Sequence, residues 1–184
     1  NWKLVLENFH ECYHCPGVHH QLNNLSPFES ADNDLEQGPL LGGPMLLAEG
    51  VQSLSRDGRA CGAVPAGLSA AQRRQVGYYG IFPNLLFSPH PDYLLTHRLE
   101  RIDAGATRIV CTLAFAPEAF EQPGFDPAPA ADFWHQTNQQ DWEMCRRAQL
   151  GVVSRGYEPG PYSPLESMVA AFDQHYLASL DGPD

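Results

Sequence analysis

Positive charge is what this sequence has least of: 11 Lys and Arg stand against 22 Asp and Glu, for a formal net charge of −11. That deficit argues against nucleic acid or an anionic membrane as the main partner, because both are held by Lys and Arg. It fits an enzyme that attracts cationic molecules. Long hydrophobic runs are missing as well, with nothing near the ~18 apolar residues of a membrane span. No basic start leads into an apolar run, so no signal peptide is read. An opening on Asn1, already in a helical pattern, suggests a piece of something longer. Cysteines number five, an odd count, and Cys61, Cys111 and Cys145 stand alone. This reads as a reduced, cytoplasmic protein rather than a disulfide scaffold. What is left is ordinary globular material, 184 residues at 43% hydrophobic, enough for one domain with a full core.

Trp2, Val5, Phe9 and Tyr13 recur at helical spacing, which predicts a helix running up to Pro16-Gly17. Residues 23–47 read as loop. Strand signals follow in "AEGVQSLS", "GYYGIF", "NLLFSP", "DYLLTHRLERI" and "TRIVCTLAFAP". In the last two, Tyr93, Leu95, His97 and Leu99, then Ile109, Cys111, Leu113 and Phe115, alternate with their neighbours as half-buried strands do. The connections between strands are short, so the pairs should be antiparallel. After Pro129 the period turns helical. "AADFWHQTNQQDWEMCRRAQLG" predicts a long helix closed by Gly151, and a last one starts at Ser163, with Pro164 and Glu166 behind it, and ends near Leu180. Helix, antiparallel strands, then helices imply one α+β domain.

The densest chemistry lies in "ENFHECYHCPGVHH", residues 7–20, with four His, two Cys and two Glu in fourteen positions. Three metal templates fit it. The first is a zinc metalloprotease using His10, Glu11, His14 and His20, since the stretch spells H-E-x-x-H-x-x-G-x-x-H. That fold builds a sheet before its metal helix, whereas only nine residues precede His10, and Met45 lies in a Gly/Pro-rich stretch rather than a turn beneath the site. The second uses Cys12 and Cys15, but no second ligand pair at zinc spacing accompanies them. They read as two small residues packing on a helix. The third pairs His14 with His19. On an unbroken helix such residues point ~140° apart, but Pro16-Gly17 between them lets the second imidazole swing round. Two imidazoles still need a carboxylate. Phe133, Thr137, Asp141, Cys145 and Ala148 share one face of the long helix, and an unpaired carboxylate on that stripe would cost several kcal/mol. A metal, or an ion pair with Arg146 or Arg147, would offset it.

With these residues in view, the chain resembles the catalytic domain of Rieske non-haem iron oxygenase α subunits. The resemblance rests on "NWKLVLENFHECYHCPGVH", "YYGIFPNLLFSPHPDYLLTHRL" and "FWHQTNQQDWEMCRRAQLGVVSRGYEPGPYSPLE". It implies a helix-grip fold, an antiparallel curved sheet packed on a long C-terminal helix, with residues 1–184 forming a mononuclear iron domain. It implies Fe(II) held by His14, His19 and Asp141; alignment on the tryptophans would put Asn138 in the third place. Glu11, where aromatic-ring dioxygenases have Asp, is closer to the oxygenases of quaternary ammonium compounds. The role implied for Glu11 is a bridge carrying electrons from a Rieske [2Fe-2S] cluster, whose own domain and ligand motif this chain lacks. Further implied are O2, a small substrate (aromatic acid or quaternary ammonium compound), a reductase or ferredoxin donor, and a homotrimer or multiple of one. Tyr79, Phe82, Leu85, Phe87, His90 and Tyr93 are the candidates for pocket lining. His97 and His175 read as structural, and His10 and His20 as surface or supporting residues.

Overall fold

In the computed structural model, which describes residues 1–180 and 182, five strands form one open antiparallel sheet in sequential order. The strands are β1 (Leu40–Leu46), β2 (Gln75–Ile81), β3 (Leu85–Pro89), β4 (Tyr93–Arg101) and β5 (Thr107–Phe115). Three helices precede the sheet: α1 (Trp2–Phe9), α2 (Cys15–Val18) and α3 (His20–Leu25). Two follow it, α4 (Ala128–Val152) and α5 (Ser167–Leu180). This is the expected α+β architecture, a curved sheet gripping the long helix α4.

The alternation in β4 and β5 holds for a simple reason. Each strand offers one face to the helices, and Tyr93, Leu95, His97 and Leu99 are the buried set of β4. On that face Leu95 and Tyr93 pack with Phe133 and Trp134 of α4. Trp134 Nε1–H donates to Tyr93 Oη at 2.7 Å, and Tyr93 donates onward to the Leu54 carbonyl at 2.6 Å. A second cluster joins Leu86 and Leu99 of the sheet to Leu6 of α1 and to Met168 and Phe172 of α5.

Five local expectations change. Helix α1 stops at Phe9, with His10 as its C-cap. Pro16 occupies the first turn of α2 rather than ending α1, which suits a residue with no N–H to give. "AEGVQSLS" is not a strand, and only its last three residues, Ser53, Leu54 and Ser55, are buried. Its Gln52 and Ser53 N–H groups both close on the Gly58 carbonyl, so the chain turns here instead of joining the sheet. Conversely β1, with Met45 in it, was hidden in the supposed loop by Gly42-Gly43-Pro44. Proline is tolerated there because β1 is an edge strand. Gly42 (φ +127°) is required, since a Cβ would stand 1.9 Å from the Tyr78 carbonyl oxygen. The long helix runs through Gly151 to Val152, with Pro129 inside its first turn. The last helix keeps its expected start: Ser163 and Glu166 form a capping box over a short 3-10 turn that leads into α5. No helix among the described residues is long and apolar enough to cross a membrane.

Candidate metal centre

Two helices set the ruler for the site. Helix α1 lies antiparallel to α4, and Asn1 contacts Gln149, the Leu4 carbonyl accepts from Cys145 Sγ, and Asn8 reaches Asp141. Positions 1, 4 and 8 therefore meet 149, 145 and 141, one helical turn at a time. Where this ladder ends, Asn8 Nδ2 donates to Asp141 Oδ1 at 2.8 Å. The chain then leaves the helix, and residues 10–14 turn back toward the same carboxylate.

His14 and His19 arrive from the two sides of α2. Their rings lie 5.1 Å apart, centroid to centroid. Asp141 Oδ1 lies 2.8 Å from His19 Nε2 and 3.6 Å from His14 Nε2. One ligand atom from each residue falls within 4.8 Å of the others, and this is the one His/Cys/Asp/Glu group of its kind among the described residues. Ligands at right angles around an ion ~2.1 Å away stand about 3 Å apart. The two pairs bracket that distance, so the donor set fits a metal ion.

The outer nitrogens are held in different ways. His14 Nδ1–H donates to Glu11 Oε1 at 2.5 Å, and the His14 backbone N–H to Glu11 Oε2 at 3.3 Å. His19 Nδ1–H donates to the neutral amide oxygen of Gln140 at 2.8 Å. Burial disfavours a charged His14 ring, yet the Asp141 and Glu11 carboxylates outweigh it and lift its pKa to about 9. Burial also opposes ionisation of Asp141, but the two imidazoles and Asn8 hold its pKa down to about 2. The two carboxylates thus keep a proton on the His14 ring, which a bound cation would displace. Cys145, next along the same stripe, has its thiol pushed up to about 12 by burial and by Asp141, so it stays protonated. Asn138, the other position for a carboxylate, is engaged elsewhere. Its Oδ1 accepts from His97 Nε2–H at 3.0 Å and its Nδ2 donates to Cys111 Sγ at 3.6 Å. Arg146 and Arg147 pair with Glu143, not Asp141.

The protease arrangement is not formed. His10 turns into the core, where Nδ1–H donates to the Leu6 carbonyl at 2.7 Å and burial drives its pKa down to about 4. Its ring lies against Gly80, where any Cβ would come within 2.3 Å of Nε2. His20 is exposed at the start of α3. Cys12 and Cys15, expected as two separate small residues, form a disulfide with a Cα–Cα distance of 5.1 Å. The break between α1 and α2 lets the pair close. The bridge cross-links the loop that carries Glu11 and His14.

A cavity of about 550 Å³ opens beside the three ligands. Among its lining residues are Phe9, Tyr78, Ser88, His97, Trp134 and Trp142. None of the six expected pocket residues is among them. Leu85 and Phe87 alternate with Leu86 and Ser88, which do line the cavity, so the expectation on β3 fell on the wrong face of the strand. Tyr93 and His90 stack on each other in the core beside Trp134. His97 is on the wall, with Nε2 bonded and Nδ1 without a partner. Among the described residues no Lys or Arg lines the cavity, whereas Glu11, Glu29 and Asp141 do. Asn8, Gln140 and Tyr78 were not singled out from sequence; the only signal was the position of Asn8 and Gln140 next to residues that were.

The sequence model of the family described as "Ring hydroxylating alpha subunit (catalytic domain)" matches residues 1–182. Among curated proteins, a glycine betaine monooxygenase oxygenase subunit of Chromohalobacter salexigens is 28% identical over 206 residues, covering 89% of this chain and 43% of that protein. Its namesake in Pseudomonas aeruginosa is 27% identical over 197 residues, covering 89% of this chain and 44% of that protein. The chain thus spans less than half the length of these relatives. Among solved structures, a quaternary ammonium Rieske monooxygenase, CntA, superposes with a TM-score of 0.68 at 17% identity, over 97% of this chain and 46% of that one. A structure described in terms of carnitine oxidation by gut microbiota gives 0.69 at 16% identity, over 97% and 47%. At these identities the structural likeness speaks for the fold.

Proposed function

Because this chain belongs to the ring-hydroxylating alpha subunit (catalytic domain) family, we propose that it is the mononuclear iron domain of a Rieske-type monooxygenase acting on a quaternary ammonium compound. The observation that carries this reading is the convergence of His14, His19 and Asp141 within 4.8 Å at the edge of an apolar cavity. These three residues would hold Fe(II). When bound, the ion supplies oxygen activation and one-electron chemistry. The chain's own residues do the rest. Glu11 keeps the His14 imidazole oriented, and the mostly apolar lining of the cavity receives the substrate beside the ligands.

The choice between an aromatic acid and a quaternary ammonium substrate rests on charge. A carboxylate entering this cavity would meet Glu11, Glu29 and Asp141 with no Lys or Arg on the wall, and burying an unpaired anion is costly. A cation is favoured by the same carboxylates and by an aromatic lining of Trp134, Trp142, Tyr78 and Phe9. The names of the curated relatives point the same way. Glu11, partly exposed and hydrogen-bonded to His14, serves as the electron bridge. Electrons come from a Rieske [2Fe-2S] cluster on another domain or subunit, fed by a reductase or ferredoxin, in a homotrimer or multiple of one.

The test is oxygen uptake by the iron-loaded chain with a Rieske donor and reductase, against a panel of betaines and aromatic acids. Oxidation of an N-methyl group gives an N-hydroxymethyl that falls apart into the less methylated amine, formaldehyde and a proton. Uptake matched by formaldehyde with betaines, and none with benzoates, is the expected result. Uptake driven by benzoates without formaldehyde would overturn it.

A further inference from the structure

The two imidazoles of the site are backed differently, and the difference picks out a residue with no assigned role. His14 leans on a carboxylate, Glu11, three residues before it in the same loop. His19 leans on an amide from a distant part of the sequence, on α4. Gln140 Oε1 lies 2.8 Å from His19 Nδ1, and the next residue, Asp141, places Oδ1 2.8 Å from His19 Nε2. Successive side chains on a helix leave about 100° apart, so Gln140 and Asp141 straddle one ring and touch both its nitrogens. The ring is 2% exposed. An amide oxygen only accepts hydrogen bonds. It therefore keeps the proton on Nδ1 and the lone pair of Nε2 directed at the point where His14 and Asp141 converge.

From this we infer that Gln140 is a positioning residue for the metal centre: it fixes the tautomer and rotation of His19, so that one turn of α4 supplies both a ligand and the support of its neighbouring ligand. The inference rests on the metal-centre reading above. Partners of this kind typically change metal affinity 10–100-fold when removed. Because the partner is neutral, His19 is a weaker electron donor than a carboxylate-backed imidazole, and the carboxylate-backed ligand is the one on the Glu11 side.

Leucine has nearly the shape and helix propensity of glutamine without its acceptor; glutamate restores the acceptor. The experiment is Co(II) titration of the metal-free chain, in competition with a chelator, for the parent, Gln140→Leu and Gln140→Glu, with the visible cobalt spectrum and a melting curve for each. The expected result is a 10–100-fold weaker site with an altered cobalt spectrum in Gln140→Leu, and recovered affinity in Gln140→Glu. Parent-like affinity and spectrum in Gln140→Leu would overturn the inference, as would a Gln140→Glu site no tighter than that of Gln140→Leu. A lowered melting temperature with unchanged affinity counts against it too, because that is what a purely structural glutamine would give. A parent chain that fails to bind Co(II) or Fe(II) at all would instead remove the metal-centre reading on which it rests.

Discussion

The residues that meet at Asp141 come from two regions built on opposite principles. Helix α4 runs unbroken for 25 residues and is anchored in the main core by Phe133 and Trp134. Its contribution to the site is a matter of register: once Phe133 is buried, Thr137, Asp141 and Cys145 must follow on the same face. The segment from His10 to His20 has no such continuity. It is a C-cap, a turn, a four-residue helix and another break. Its histidines converge only because it is interrupted, and beyond the few backbone hydrogen bonds of that short helix it is held by a disulfide and side-chain hydrogen bonds. Rigidity through burial on one side and through local ties on the other should fail in different ways when perturbed.

The largest effect is expected on the α4 side. Phe133→Ala empties a site that is 1% exposed, and large-to-small changes of this kind cost about 3–5 kcal/mol. Urea unfolding should show that loss in global stability. A drop under ~1 kcal/mol would mean that α4 is not the anchored partner.

On the segment side, His14 makes the comparison depend on pH. Its folded pKa is raised from 6.5 to about 9. In metal-free protein its contribution to stability is therefore complete below about pH 6.5 and is lost as pH rises through about 9. At about 1.4 kcal/mol per pH unit, the loss is at most about 3.5 kcal/mol. Metal takes the place of that proton, so metal-loaded protein should lack this decline. Melting temperatures from pH 6 to 9.5, with and without metal, check it; parallel curves would count against His14 as a ligand.

The smallest effect should come from the Cys12–Cys15 bridge. A loop this short constrains the unfolded chain by about 2 kcal/mol or less. The double variant Cys12→Ser/Cys15→Ser should lose no more stability than that, and should bind metal less tightly because Glu11 and His14 gain freedom. Unchanged affinity would show that hydrogen bonds alone hold the segment.

Sequence was a better guide to one region than to the other, for the same physical reason. Burial on one face writes a period into the chain. Tyr93, Leu95, His97 and Leu99 could be read on β4, and so could the stripe from Phe133 to Cys145. An element shaped by close approach or by its breaks writes no period. The edge strand β1 carries Gly42 because Tyr78 leaves no room for a side chain, and its Gly-Gly-Pro looked like loop. Helix α1 stops at Phe9 although Tyr13 continues its spacing, and the non-helical residues 11–14 that follow carry His14. The roles of Asn8 and Gln140 depend on an antiparallel helix pair that spans most of the chain's length. The pocket was misplaced by a single strand step, Leu85 and Phe87 for Leu86 and Ser88. The reduced state expected of every cysteine fails at Cys12 and Cys15, since the pairing depends on where the helix ends rather than on spacing alone.

The most direct test of the account is an Fe(II) titration of the metal-free chain beside His14→Ala, His19→Ala, Asp141→Ala, His10→Ala and His20→Ala. One tight site per chain is predicted. Each of the first three substitutions should weaken it more than ~100-fold, beyond what loss of a mere supporting residue gives. His10→Ala and His20→Ala should leave affinity unchanged, even where His10→Ala lowers stability by emptying the space over Gly80. Iron that stays bound in Asp141→Ala but leaves in His10→Ala would contradict the account.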